Sequence, residues 1–477
     1  MTIFHDKRNT GMTRSRLRGS LVLAFLLITG LMISACAADT TSGGSGETTL
    51  PGVTDTGSEP SESREPSDSE TDTGTSESSD SGSESSEPSE STTETTAEPT
   101  PPPQVTPALI EEPIVTDFFG PLPTASQVVP LNHLELRALY IGAAANMDQA
   151  IEIARTTEVN AVVIDLKESD GIKYESTVPL ALENGLVHRA YDIQSVVDRL
   201  HAEDIKVIGR IVCFKDPLLA EKRSDLSIRD ASGNRLFFNN EGGKPFVSPY
   251  NEDVWQYNID IALEAIEYGV DEIQFDYVRF PTGSTSTGAK PYFGPEETVP
   301  SRIQAINRFL QVARVQIQDE RGIPLGADVF AIILTSDLDG RNLGQDWTTV
   351  GLTGIDNVCP MIYPSHYAND STTHYMGNGK GTVLNGVHFT KPDLHPYDVM
   401  YHALVARKEA TEQEGYSVNR PYLQAFTASY LPEGYYMTYG PQQILDQIRA
   451  IEDAGFSEWI CWNPRAEYSA ASFRAAP

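Results

Sequence analysis

Two aspartates, Asp276 and Asp328, offer the plainest chemistry in this sequence. Asp276 stands in Asp271-Glu-Ile-Gln-Phe-Asp276-Tyr-Val-Arg-Phe-Pro281, and Asp328 in Gly326-Ala-Asp-Val-Phe330. Side chains alternate along a strand. Ile273, Phe275 and Tyr277 should therefore share an apolar face, while Glu272, Gln274 and Asp276 share a polar one. Two carboxylates on adjacent strands are what glycosidic hydrolysis requires. One protonates the leaving oxygen; the other attacks the anomeric carbon or activates water.

The same parity gathers more groups. Asp165 and Lys167 share a face of one strand, with Val162, Ile164 and Leu166 on the other. Arg210 is alone among apolar residues on the next strand, and Gln274 accompanies Asp276. Tyr363, Gln424 and Trp462-Asn463 mark three later strands. Arg210 and Lys167 would hold carboxylates ionised or contact polar groups of a substrate. Trp462, Trp347, Tyr363 and Tyr367 offer flat faces for sugar rings.

Eight strand-like runs must position these side chains: 136–142, 161–168, 206–214, 271–280, 325–334, 357–363, 421–427 and 458–463. Helical patterns alternate with them at 147–157, 192–203, 252–268, 301–320, 346–352, 397–413 and 441–454. Eight βα units in about 340 residues predict an α/β fold, a (β/α)8 TIM barrel, rather than a doubly wound sheet. The longer loops follow the second, third, fourth and sixth strands. In such a barrel they share the face that builds the site.

Other chemistries are poorly supported. No Gly-rich dinucleotide fingerprint follows the first strand, and no cofactor is expected. No Gly-x-Ser-x-Gly elbow is present. His366 and His374 read as polar loop residues and not as metal ligands. Cys213, Cys359 and Cys461 fall inside strands at spacings that fit neither zinc nor a disulfide framework, and read as buried small hydrophobes.

The net charge is −32. Residues 37–106 hold sixteen carboxylates against one base, Arg64, and residues 1–36 hold five bases against Asp6, which leaves −21 on the remainder. No basic stripe is present, and such a domain repels nucleic acid.

Residues 1–36 read as a targeting segment. Lys7, Arg8, Arg14, Arg16 and Arg18 precede an apolar run, Leu21 to Ile33, that ends in Ile33-Ser34-Ala35-Cys36. That order resembles the lipobox of bacterial lipoproteins, which implies lipidation at Cys36 and an extracytoplasmic, membrane-anchored location. Residues 37–106, nearly all Ser, Thr, Glu, Asp, Gly and Pro, read as a disordered acidic linker spanning roughly 45 Å. Residues 107–477 form the barrel domain, with 107–130 expected to pack against it as a lead-in.

Val163-Ile-Asp-Leu-Lys-Glu168, Phe214-Lys-Asp-Pro217, Phe275-Asp-Tyr-Val-Arg-Phe-Pro281 and Trp462-Asn-Pro464 resemble the glycosyl hydrolase family called domain of unknown function 4015. The resemblance covers about residues 135–470. It implies a TIM barrel and hydrolysis of glycosidic bonds, with no substrate specified. One departure from chitinase-like barrels matters. Their fourth strand carries Asp-x-Asp-x-Glu with the Glu as acid, and here that position is Val278. Asp276 therefore needs a partner from another strand; Asp328 is the choice and Glu168 the reserve.

The expected protein is a monomeric surface lipoprotein that cleaves a polysaccharide, glycans of the cell envelope included, with Asp276 and Asp328 catalytic and Asp165, Lys167, Arg210, Gln274, Tyr363 and Trp462 binding substrate. The alternative is a non-catalytic carbohydrate-binding lipoprotein on the same scaffold. A solute-binding lipoprotein fits the lipobox but not eight βα units.

Overall fold

The computed structural model of the chain describes residues 111 and 113–476. The targeting segment, Cys36 and the acidic segment 37–106 lie outside the described residues. Eight strands form the centre: β1 Arg137–Gly142, β2 Ala161–Glu168, β3 Lys206–Val212, β4 Glu272–Asp276, β5 Leu325–Phe330, β6 Asn357–Ile362, β7 Tyr422–Gln424 and β8 Trp459–Trp462. Each pairs in parallel with the next, and β8 pairs in parallel with β1, which closes a barrel.

Parallel strands covered by helices are buried on both faces, so they read as long apolar runs. Their alternation separates two layers. Val162, Ile164, Leu166, Ile211, Ile273 and Phe275 belong to the core beneath the outer helices. Ala161, Val163, Ile208, Cys359, Tyr422 and Ile460 fill the barrel. All three cysteines among the described residues are free and buried.

Helices follow the strands where periodicity places them, including Met147–Thr156, Ile193–His201, Glu252–Glu267, Arg302–Arg314 and Pro441–Asp453. Caps fix their starts. Ser301 and Gln304 form a reciprocal capping box, and Asn251 accepts from the backbone of Asp253 and Val254. Arg302–Arg314 runs on into a π-helical turn, Val315–Asp319. After β8 the described residues hold only the 3-10 turn Ala470–Ser472, and Phe473 stacks on Trp459 at 5.5 Å.

One irregularity decides how the site is built. Along β2, Asp165 stands opposite Arg210, yet Lys167 stands opposite Ile211, the very next residue of β3. Leu166 is thus the extra residue of a bulge. A Cβ on Gly209 would meet Leu166 Cδ1 at 2.5 Å, so only glycine leaves room for it. The bulge turns Lys167 outward and Glu168 inward.

The end of the barrel opposite the long loops is held by charge. Arg420, fully buried, donates to Glu272 at 2.5 Å and to Glu458 at 2.7 Å. His133 bridges Glu458 and Asp356 at 3.0 and 2.9 Å. Before the barrel, the helix Pro113–Phe119 sets Phe119 against Trp255 at 4.7 Å, and Arg308 pairs with Glu111.

Candidate active site

Arg210 sits in the barrel mouth and is nearly buried. Its Nη1 donates to Asp165 and to Glu168, both at 2.5 Å. Its Nη2 and Nε donate to one oxygen of Asp276, at 2.6 and 3.0 Å, and Nε lies 4.0 Å from Asp328 Oδ2. Tyr140, inward on β1, donates to the second oxygen of Asp165 at 2.7 Å. Four carboxylates thus surround one guanidinium.

All four cannot be ionised cheaply, since one positive charge offsets only part of their mutual repulsion in a dry site. Asp328 is the group to protonate. It is 1% exposed, farthest from Arg210, and its Oδ1 has no hydrogen-bond partner. Burial first, and then the charge of Asp276, push its pKa well above the carboxylate range. Burial also pushes Asp165 up to about 6, against the opposing charge of Arg210. Glu168 behaves oppositely. Burial raises it, but Arg210's charge and hydrogen bond outweigh that and hold it below its ordinary value.

Asp276 is saturated with donors. Oδ2 takes two from Arg210, and Oδ1 accepts from the backbone N–H of Tyr277 at 2.5 Å. Tyr277 has φ 50°, a left-handed conformation that costs a bulky residue free energy. Its ring lies beside two cations, Lys215 Nζ and Arg279 Cζ, each 4.8 Å from the ring centre. Glu241 holds both cations, at 3.3 Å from Lys215 and 2.9 Å from Arg279, and accepts from Thr282 at 2.8 Å. Glu241 is buried, which raises its pKa, but the charges of Arg279 and Lys215 win and pull it to about 2. Burial is the main cause that lowers Lys215.

Trp462, half-buried at the end of β8, forms an aromatic wall. It stacks on Tyr363 at 5.4 Å and 29°, meets Phe426 edge-on at 5.2 Å, and lies 6.2 Å from Tyr140. Such faces suit the apolar side of a sugar ring.

The structure brings Asp276, Asp328, Asp165, Arg210, Tyr363 and Trp462 into one mouth. Lys167 and Gln274 do not belong there. Lys167 is fully buried behind the barrel wall, paired with Asp216 at 3.0 Å and with Asn258 at 2.9 Å, over the ring of Tyr257. The bulge at Leu166 is the reason. Gln274 lies two residues below Asp276, fully buried, where it accepts from Tyr422 at 2.6 Å and donates to Cys359. Trp347 is likewise buried, against Tyr416. Tyr277 does not share the outward face of Phe275, because the strand ends at Asp276 and the backbone turns left-handed.

Tyr140, Lys215, Glu241 and Phe426 join the site without having been singled out as site residues. The parity of β1 could have found Tyr140, and Phe426 follows Gln424 by two in the strand-like run 421–427; Lys215 and Glu241 come from loops with no periodic signal. Among the described residues no group of three His, Cys, Asp or Glu side chains is arranged to hold a metal ion. The guanidinium of Arg210 fills the centre of the carboxylates.

Residues 134–468 match the family DUF4015, whose description reads "Putative glycosyl hydrolase domain". The chain belongs to that family. No curated protein matches this DUF4015 chain. Among solved structures, a hypothetical protein from Ruminiclostridium thermocellum ATCC 27405 is 38% identical, with a TM-score of 0.35, over 40% of this chain and 97% of that one. The PgaB (BpsB) glycoside hydrolase domain from Bordetella bronchiseptica is 11% identical, with a TM-score of 0.47, over 71% and 95%. A chitinase from Chromobacterium violaceum ATCC 12472 is 12% identical, with a TM-score of 0.41, over 71% and 98%. The DUF4015 domain is of glycosyl-hydrolase type, and its closed barrel follows from the strand pairing itself.

Proposed function

We propose that this DUF4015 protein is a glycoside hydrolase that cleaves a polysaccharide with Asp276 and Asp328, held at the bacterial cell surface by a lipid on Cys36. One observation carries the chemistry: Asp276 and Asp328 meet at one guanidinium nitrogen in unlike surroundings, Asp276 taking three hydrogen bonds and Asp328 buried with an unpartnered oxygen. Arg210 and the Tyr277 N–H stabilise negative charge on Asp276. Burial and that same charge keep the proton on Asp328. A hydrolase needs this division between a base or nucleophile and an acid.

In the proposed cycle a sugar ring rests on Trp462. Asp328 gives its proton to the glycosidic oxygen as that bond breaks, and Asp276 attacks the anomeric carbon. Water then releases the sugar, giving a proton back to Asp328. The nearest oxygens of the two carboxyls cannot be further apart than their two contacts with Arg210 Nε laid end to end, 3.0 and 4.0 Å. That bound admits the closer arrangement of retaining enzymes, about 5–5.5 Å, and the near end of the inverting range, about 6.5–9.5 Å, so the stereochemistry of the product decides between them. Glu168 is the more exposed candidate acid, but Arg210 holds it ionised.

The test is a panel of polysaccharides offered to the purified protein, with products sized and the Asp276→Asn variant as control. Cleavage lost in that variant supports the assignment. Full activity in it overturns the assignment. A sugar that is held and never cut would instead support the carbohydrate-binding alternative, which the aromatic wall alone would serve.

A further inference from the structure

An open groove of about 1140 Å³ lies in the loops after β4, β5 and β6. It is separate from the carboxylate cluster: Arg210, Asp276, Asp328 and Trp462 are not among its lining residues. It is tied to that cluster by chain and by contact. Pro281 follows Asp276 by five residues, Ile332 follows Asp328 by four, and Tyr367 follows Tyr363 by four. Thr282 lines the groove and also donates to Glu241, whose cations grip the ring of Tyr277 beside Asp276.

Resting on the hydrolase reading, we infer that this groove binds the continuing chain of an uncharged linear glycan, so that the enzyme cuts internally. Size comes first. Pockets for single small ligands run about 300–1,000 Å³, and this one is larger and open. Charge comes second. Arg302 and Lys380 are equalled in number by Asp339 and Asp370, and the ring of His388 is engaged with the backbone oxygen of Lys380. Arg302 also donates to the backbone oxygen of Asn342 at 2.6 Å and lies over Phe280. No excess of positive charge is left to hold a polyanion, and an acidic domain repels one.

Surface chemistry comes third. Thr335 and Asn342 offer a hydroxyl and an amide beside the apolar Ile332 and Val383, while the Asn378 amide bonds the backbone of Lys380 and Gly381 and holds the loop. Alternating polar edges and apolar faces are what a sugar ring presents. Val383 belongs to a two-stranded hairpin, Thr382–Leu384 with Val387–Phe389, joined by Asn385 and Gly386 at φ 45° and 78°. Left-handed residues at both turn positions match the natural twist of a tight hairpin. They hold Val383, 57% exposed, at the groove edge.

The test uses the full chain carrying Asp276→Asn and an immobilised series of neutral, amine-bearing and uronic-acid oligosaccharides of increasing length. Neutral chains should bind about tenfold more tightly, or about 1.4 kcal/mol, once they are long enough to enter the groove. Asn342→Glu, which puts a longer charged side chain at an exposed position of the groove, should remove that gain and leave the shortest ligands unaffected. Unfractionated neutral polymer given to the active protein should yield intermediate oligomers early. The inference is overturned if uronic-acid chains bind best, if affinity is independent of length, if nothing neutral binds, or if products are single end sugars whatever stands at position 342. Those last products would leave the hydrolase reading standing. Length-dependent neutral binding by the variant, with no cleavage by the active protein, would uphold the groove and sink the hydrolase reading.

Discussion

Tyr277 donates its backbone N–H to the side chain of the residue before it, Asp276, at 2.5 Å and from a φ of 50°. The left-handed conformation costs a side-chain-bearing residue about 1–2 kcal/mol. Glycine adopts it freely but loses about 0.5–1 kcal/mol more chain entropy on folding. Tyr277→Ala and Tyr277→Gly both lose the ring beside Lys215 and Arg279, so comparing them isolates the backbone. The glycine variant should be the more stable by roughly 0.5–1 kcal/mol, read from denaturant midpoints. A more stable alanine variant would mean that no strain is stored there.

Asp328 must carry a proton to act as the acid, and burial beside ionised Asp276 keeps it there well above the usual carboxylate range. Activity should therefore fall on the alkaline side as Asp328 loses that proton. Asp328→Asn should slow cleavage about 10²–10⁴-fold. The loss should shrink for a nitrophenyl leaving group, which needs little protonation. The pH–rate profile of the residual activity on that substrate should lack the alkaline limb. A limb that persists in Asp328→Asn would assign the acid to another group, Glu168 first.

The barrel is legible in the sequence because its strands obey simple rules. Each is a near-continuous apolar run, and alternation sends Asp276, Asp328 and Arg210 inward to one mouth. Two failures have the same cause. Parity along β2 assumes a strict period of two, and one bulged residue, Leu166, breaks it. That sends Lys167 out and brings in Glu168, held only in reserve. Parity along β4 fails for Tyr277 because the strand stops one residue earlier. Glu241 stands 38 residues before Arg279 in sequence, and loop packing alone joins them. Alternation sends Gln274 inward correctly, but it carries no information about depth, so a buried rung looks like a mouth residue.

Lys167 tests the bulge directly. It and Asp216 are 0% and 2% exposed in their side chains, and Asp216 also caps the helix Pro217–Lys222. Removing one partner strands the other charge in a dry site. Lys167→Ala should cost about 3–5 kcal/mol, while folded variant at low temperature should keep the glycan affinity of the parent. Loss of affinity without loss of stability would return Lys167 to the mouth.

Lipidation rests on the order of basic leader, apolar run and Ile33-Ser34-Ala35-Cys36. Cys36→Ala should leave the protein in the soluble fraction or unprocessed, and should remove labelling by a palmitate analogue. Unchanged membrane partitioning with no labelling of the parent would remove the anchor from the proposal.

His133 makes the stability pH-dependent in a stated direction. Its hydrogen bonds to Asp356 and then Glu458 raise its pKa from 6.5 to about 10. A histidine with a raised folded-state pKa binds its proton more tightly when folded. Its contribution is thus fully present below about pH 6.5 and lost as the pH rises to about 10. Glu241 works the other way: its pKa, lowered from 4.5 to about 2, gives stability that is present above 4.5 and lost as the pH falls to 2. These two groups together place a plateau between about 4.5 and 6.5. His133→Gln should lower the denaturant midpoint on that plateau, and its deficit should close as the pH approaches 10. A deficit that stays constant to pH 10 would show that His133 contributes by packing and not by charge.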